Sequence, residues 1–255
     1  KKLKSAGFKE LDLSQKWDLK EGKKYFVSRN DSALIAFISG REFLKHGFRI
    51  ISSHTDSPSL KIKPDPIINN EGLCVLNTEV YGGPILNTWY DRELSLAGKL
   101  ILKSENSFKL QSELIDLEEN LAVIPNLAIH LNNDVNKDGE IDKKKGLRAL
   151  VTQKLNQKNT ENENQDDSES EFDLKSLIAQ VSDYKAQDIL EVELFLYPTQ
   201  KAEFVGPNQE YISAGRQDNL SMVHSALKAL IASEVENWTQ MAVFYDNEEI
   251  GSHTP

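Results

Sequence analysis

Two apolar runs that end in ligand chemistry constrain this chain most. Phe48 to Ile51 runs into Ser53-His-Thr-Asp56, and Met241 to Tyr245 runs into Asn247-Glu-Glu249. Short runs of this β-prone kind predict strands. Each then delivers imidazole or carboxylate groups at its polar end. Between them, Gly215-Arg-Gln-Asp-Asn-Leu220 sets Asp218 just ahead of a helical stripe of Leu220, Val223, Leu227, Leu230 and Ile231. A helix between strands, with the motifs at strand ends, predicts an α/β fold with its site at those ends. Imidazole and carboxylates with no cysteine in reach are what a hydrolytic zinc pair requires.

The rest of the chain frames these motifs. Leu34 to Ile38 predicts another strand, and Ser39 to Gly47 leaves its element type open. Leu60 and Ile62 alternate before Pro64 and Pro66, which predict a break and a boundary after the first motif. Val75 to Tyr81, Ala97 to Leu102 and Leu127 to Leu131 read as strands of a distinct β-rich segment. Gln153 to Asp173 is dominated by polar and charged residues and predicts a solvated insertion loop. Asp173 then caps a helical stripe of Leu174, Leu177, Ile178 and Val181. Ile189 to Tyr197 alternates as a strand with Leu190, Val192, Leu194 and Leu196 on one face. No internal repeat is present.

Composition narrows the class. Of 255 residues, 39% are hydrophobic, enough for one large or two medium cores. A formal charge of −10 and a pI of about 5.1 argue against nucleic acid or an anionic membrane surface as partner. Cys74 is the single cysteine and cannot form an internal disulfide, which fits a reducing compartment. No apolar run approaches the roughly 20 residues that span a bilayer. The first residues have no apolar signal-peptide core. The expectation is a cytoplasmic protein without a membrane partner. The start also lacks an initiator Met, so the native N-terminus is expected upstream.

Taken singly, the motifs are modest. His54 and Asp56 lie at i and i+2, on one face of an extended segment. There His54 can ligate a metal while Asp56 approaches to fix the ring's orientation. His46 and His224 lack such neighbours and read as structural or solvent-facing. Adjacent acids at a strand end are expected to face different ways and divide labour. One carboxylate would ligate a metal and the other would accept a proton from metal-bound water. Asp218 offers two oxygens that can bridge two metals roughly 3.5–4 Å apart. Asp134 to Ile141 imitates the start of an EF-hand loop, but position twelve is Lys145 where a bidentate Glu is needed, so calcium sensing is not expected.

Six ordered motifs together resemble the aspartyl aminopeptidase (M18) family of metallopeptidases, which includes vacuolar aminopeptidase I. They are Ser53-His-Thr-Asp-Ser-Pro58, Tyr81-Gly-Gly, Thr88-Trp-Tyr-Asp-Arg92, Ile124 to Leu131, Asp218-Asn-Leu220 and Asn247-Glu-Glu-Ile-Gly-Ser252. Gly7-Phe8 and Trp17 also fit. The resemblance implies a two-zinc exopeptidase that removes N-terminal residues from peptides, acidic ones by the family's best-known pattern. His54 would ligate one zinc, Asp218 would bridge both and Glu249 would ligate the other. Glu248 would be the general base, and Asp56 would orient His54. The same oxygen and nitrogen donors accept cobalt or manganese.

The resemblance also implies a zinc-peptidase-type α/β catalytic domain, residues 1–71 and 202–255, with a β-rich dimerisation domain inserted at 72–201. The acidic tract 153–172 would be a flexible part of that insertion. Dimers would assemble into a dodecamer, with His130 reaching a neighbouring subunit's site. The family's site needs a further Asp and His, which this sequence does not place. His253 is too close to Glu249 in sequence to be assigned that duty and its role stays open, so the chain is expected to be incomplete and to hold zinc poorly alone. Two alternatives remain: a related M42-like aminopeptidase or deacylase, and a non-catalytic assembly or cargo-binding subunit.

Overall fold

The computed structural model describes residues 1–104, 110–137, 140–153 and 172–251. Nearly all of the acidic tract, Asp138 and Gly139 of the EF-hand-like stretch, Ser252 and His253 lie outside the described residues. The chain divides into two compact units, Lys1–Ser57 with Glu203–Pro255, and Pro58–Ala202.

The first unit opens with α1 (Lys2–Ser5), β1 (Lys9–Glu10), β2 (Lys24–Arg29), β3 (Ala33–Ile38), α2 (Phe43–His46) and β4 (Phe48–His54). The second contains β5 (Ser59–Asn70), β6 (Leu73–Tyr81), β7 (Leu94–Leu102), β8 (Gln111–Asp116), β9 (Ala149–Gln153), α3 (Leu174–Val181) and β10 (Ile189–Pro198). The chain returns to the first unit with β11 (Glu203–Val205), β12 (Tyr211–Ser213), α4 (Gln217–Ala232) and β13 (Thr239–Tyr245).

The first unit's sheet runs β1-β2-β3-β13-β4. β13 lies between β3, its antiparallel partner, and β4, its parallel one. Alternation decides which strand residues face α4. Phe26, Ala36, Ile38, Ala242 and Phe244 form one core with Ala226 and Leu230 of α4. Burying each large apolar side chain contributes about 1.5–3 kcal/mol. β4 behaves differently. Its short apolar run, interrupted by Arg49, forms the sheet edge among the described residues, with Phe48 and Ile50 each 60% exposed.

The second unit is a six-stranded sheet of order β8-β7-β10-β5-β6-β9, antiparallel throughout. Leu174, Leu177 and Ile178 of α3 share its core with Leu96, Leu100, Leu194 and Leu196. Asp173 caps α3 as the sequence predicts, its carboxylate accepting from the Ser176 N–H at 3.0 Å. No helix among the described residues is long and apolar enough to cross a membrane.

Three expectations about the second unit need correction. Pro64 and Pro66 do not end the strand, because β5 runs through both. Its pairing with β6 is irregular between Ile62 and Ile67, which absorbs the missing N–H donors. Leu190 does not share the buried face of β10, because a bulge beside it turns Ile189 inward instead. Leu127 to Leu131 is not a strand. The chain leaves the sheet after Ile124, where Pro125 has no N–H to donate, and Leu127, Ile129 and Leu131 are exposed.

Candidate metal centre

The strand register creates the site. Tyr245 of β13 pairs beside His54 of β4, so the two motifs leave the sheet side by side. Asp246 and Asn247 then turn the chain. The Asp246 carboxylate accepts from the Asn247 N–H at 2.9 Å, and Asn247 takes a left-handed φ of 61°. Asn tolerates that region better than most residues. Glu248–Ile250 follows as a 3-10 turn, closed by the Gly251 N–H donating to Glu248 O at 3.0 Å. Gly251 has φ of 85°, where a Cβ would be strained.

His54, Glu248 and Glu249 each offer a ligand atom, and these atoms lie within 4.8 Å of one another. The expectation that adjacent acids must face different ways therefore fails. It holds for an extended strand, but a 3-10 turn lets both carboxylates reach one point. Asp218 joins them, its Oδ1 3.4 Å from His54 Nε2, while Glu248 Oε2 lies 3.8 Å from the same nitrogen. Asp218 and Asn219 keep non-helical backbone angles, so regular helix begins at Leu220 and Asp218 precedes it.

His54 Nδ1 donates to the main-chain carbonyl of Asp56 at 3.0 Å. A carbonyl can only accept, so Nδ1 carries a proton and Nε2 is the ring atom that faces the carboxylates. The Asp56 carboxylate lies farther from Nδ1, at 3.4 Å. It accepts instead from the N–H groups of Glu248 at 3.2 Å and Glu249 at 3.1 Å. Partial burial favours the neutral ring, but the Asp56 carbonyl and the charges of Glu248, Asp56 and Asp218 outweigh it and raise the pKa of His54. A cation bound at Nε2 would compete with protonation there and would relieve the crowding of three carboxylates. Oxygen and nitrogen donors without sulfur suit zinc, so these residues fit the metal that the sequence predicts.

Other expected residues lie elsewhere. His130 sits in an exposed turn of the second unit, not on a strand. His46 is exposed and pairs with Glu42 at 2.9 Å, and His224 lies on the exposed side of α4. Sequence reasoning passed over Thr55, whose N–H donates to Tyr245 O at 2.8 Å. Its hydroxyl reaches Tyr245 O at 3.0 Å and Ser32 O at 3.2 Å. A hydroxyl residue between two motif residues was the available signal. Asp246 and Asn247 were legible as a turn-forming pair.

A mixed α/β unit with imidazole and carboxylates gathered at adjacent strand ends defines a protein of the zinc-peptidase type. The aminopeptidase I zinc metalloprotease family (M18) matches residues 1–255, and the chain belongs to that family. It is 41% identical over 260 residues to a probable M18 family aminopeptidase 2 of Clostridium novyi, covering 100% of this chain and 57% of that protein. The chain thus spans little more than half the length of the curated relatives it matches. A solved complex of Ape4 and Nbr1 superposes with a TM-score of 0.88 at 30% identity, over 99% of this chain and 51% of that one. The mApe1 dodecamer of S. cerevisiae gives a TM-score of 0.73 at 25% identity, over 99% and 56%.

Proposed function

We propose that the full-length protein is a cytoplasmic two-zinc aminopeptidase that removes N-terminal residues from peptides, acidic ones preferentially. The convergence of His54, Glu248 and Glu249 within 4.8 Å carries this reading, and family membership supports it. His54, Asp218 and Glu249 would hold the metals. Zinc, when bound, supplies Lewis acidity and lowers the pKa of water. Glu248 takes the proton of the attacking water on a carboxylate oxygen. It returns that proton to the leaving amine as the C–N bond breaks. The test is hydrolysis of aminoacyl anilides by the purified full-length protein, against N-acylated controls and after metal removal. Cleavage of the acylated substrates alone would favour a deacylase. Neither metal nor turnover would favour an assembly subunit.

Asp218→Ala is expected to cost at least one metal per chain by elemental analysis, because a bridging carboxylate neutralises two cations. Two metals held at ordinary affinity would remove the bridging role.

The second unit would mediate dimerisation within a dodecamer, a reading supported by the dodecameric relative and by the exposed apolar loop around His130. Leu127, Ile129 and Leu131 at that surface favour burial against another subunit. There the His130 ring could donate to a developing oxyanion. His130→Ala should then assemble normally and lose about 10²–10³ in turnover. Co-expression with Glu248→Gln should restore part of it, since some mixed sites pair an intact Glu248 with an intact His130. Mixed oligomers without recovered activity would show that His130 does not act across subunits.

A further inference from the structure

We propose that Asp56 is a positioning residue that acts on both glutamates directly, by capping the turn that carries them, and not only through His54. The proposal deepens the metal-site reading above and rests on it. The two oxygens of Asp56 take the N–H groups of Glu248 and Glu249, the first residues of the 3-10 turn. Such opening N–H groups have no partner inside their own turn. The Asp56 side chain is only 7% exposed, and a carboxylate is held so far from water only when its oxygens are bonded. Bonds from N–H to an ionised carboxylate are among the stronger ones.

The neighbouring residues extend the same fastening. His54 Nδ1 donates to the Asp56 carbonyl. Thr55, between them, is bonded through both N–H and hydroxyl to Tyr245 O. Three consecutive residues therefore tie the end of β4 to the end of β13 and to the turn beyond it. Asp56 is the one member that reaches both the imidazole and the glutamates. Its carbonyl sets the ring, its carboxylate sets the turn, and together they set the separation of Nε2 from Glu248.

The test uses full-length, metal-free protein and reads amide hydrogen exchange at Glu248 and Glu249. Asp56→Ala should speed exchange at both amides about tenfold or more, as expected for losing a bond to a charged acceptor. His54→Ala should leave both within about twofold, the bonds to Asp56 being intact. If the alanine variant does not fold, Asp56→Asn keeps the shape and one acceptor oxygen and should speed at least one of the two. Zinc affinity, measured by chelator competition, gives an independent reading. Asp56→Ala should weaken it about 10–100-fold in the parent and again in the His54→Ala background. Unchanged exchange in a folded Asp56 variant, or an Asp56 effect that vanishes once His54 is gone, would overturn the proposal. Neither readout uses peptide hydrolysis, so a protein without aminopeptidase activity would sink the functional reading and leave this one standing.

Discussion

Glu248→Gln in the full-length protein is expected to lower turnover by about 10²–10⁴-fold, the usual contribution of a positioned proton acceptor. Metal content and melting temperature should stay near those of the parent. The carboxamide has the same shape, and the side chain it replaces is 50% exposed, so no buried charge loses its partner. The N–H of residue 248 still reaches Asp56, and Glu249 keeps its carboxylate for the metal. Elemental analysis and kcat on one preparation separate the two effects. Because both glutamates reach the same point, Glu249→Gln is the matched control. It should lose metal first and turnover as a consequence. Should Glu249→Gln keep its metal while turnover collapses, the two roles are exchanged.

What was legible in the sequence follows from what kind of signal each element carries. β3, β4 and β13 were readable as short apolar, β-prone runs, and the α4 stripe because its apolar residues repeat with the helical period. Asp173 was readable because a cap is a local bond, spanning three residues. Two of the failures share a cause, which is pairing with a distant strand. Whether prolines end β5 depends on whether β6 can accommodate an irregularity opposite them. The inward turn of Ile189 depends on a bulge against β7. At the site, the residue types and their strand-end placement were legible, but the bonds of Asp56 were not. Its contacts with Glu248 and Glu249 span 192 and 193 residues of chain, and nothing in a local window records them.

Gly40→Ala should destabilise the first unit by about 3 kcal/mol or more, the upper end for overpacking, because the obstacle is main chain. An added Cβ would overlap Asn237 O and lie 2.6 Å from the Trp238 carbonyl carbon. Neither can retreat cheaply. The Arg49 guanidinium lies 3.5 Å over the Trp238 ring, and the N–H groups of Arg41 and Glu42 hold Glu236 O at 2.9 Å and Asn237 O at 3.2 Å. Gly40 itself donates to the buried Thr239 hydroxyl at 3.2 Å, at the first residue of β13. A methyl group here must therefore displace the start of the strand whose other end delivers Glu248 and Glu249. The Tyr245 to His54 register that sets the two motifs side by side depends on that strand keeping its place. A fall in melting temperature of at least about 5 °C is expected by calorimetry, with weaker zinc binding in whatever protein remains folded. Gly215→Ala is the control, since its added Cβ meets nothing within 4 Å, and it should change stability by no more than about 0.5 kcal/mol. Equal melting temperatures for the two variants would mean that the strand start yields easily, and that the ligand end of β13 keeps its place through its pairing with β3 and β4 and the Thr55 and Asp56 bonds.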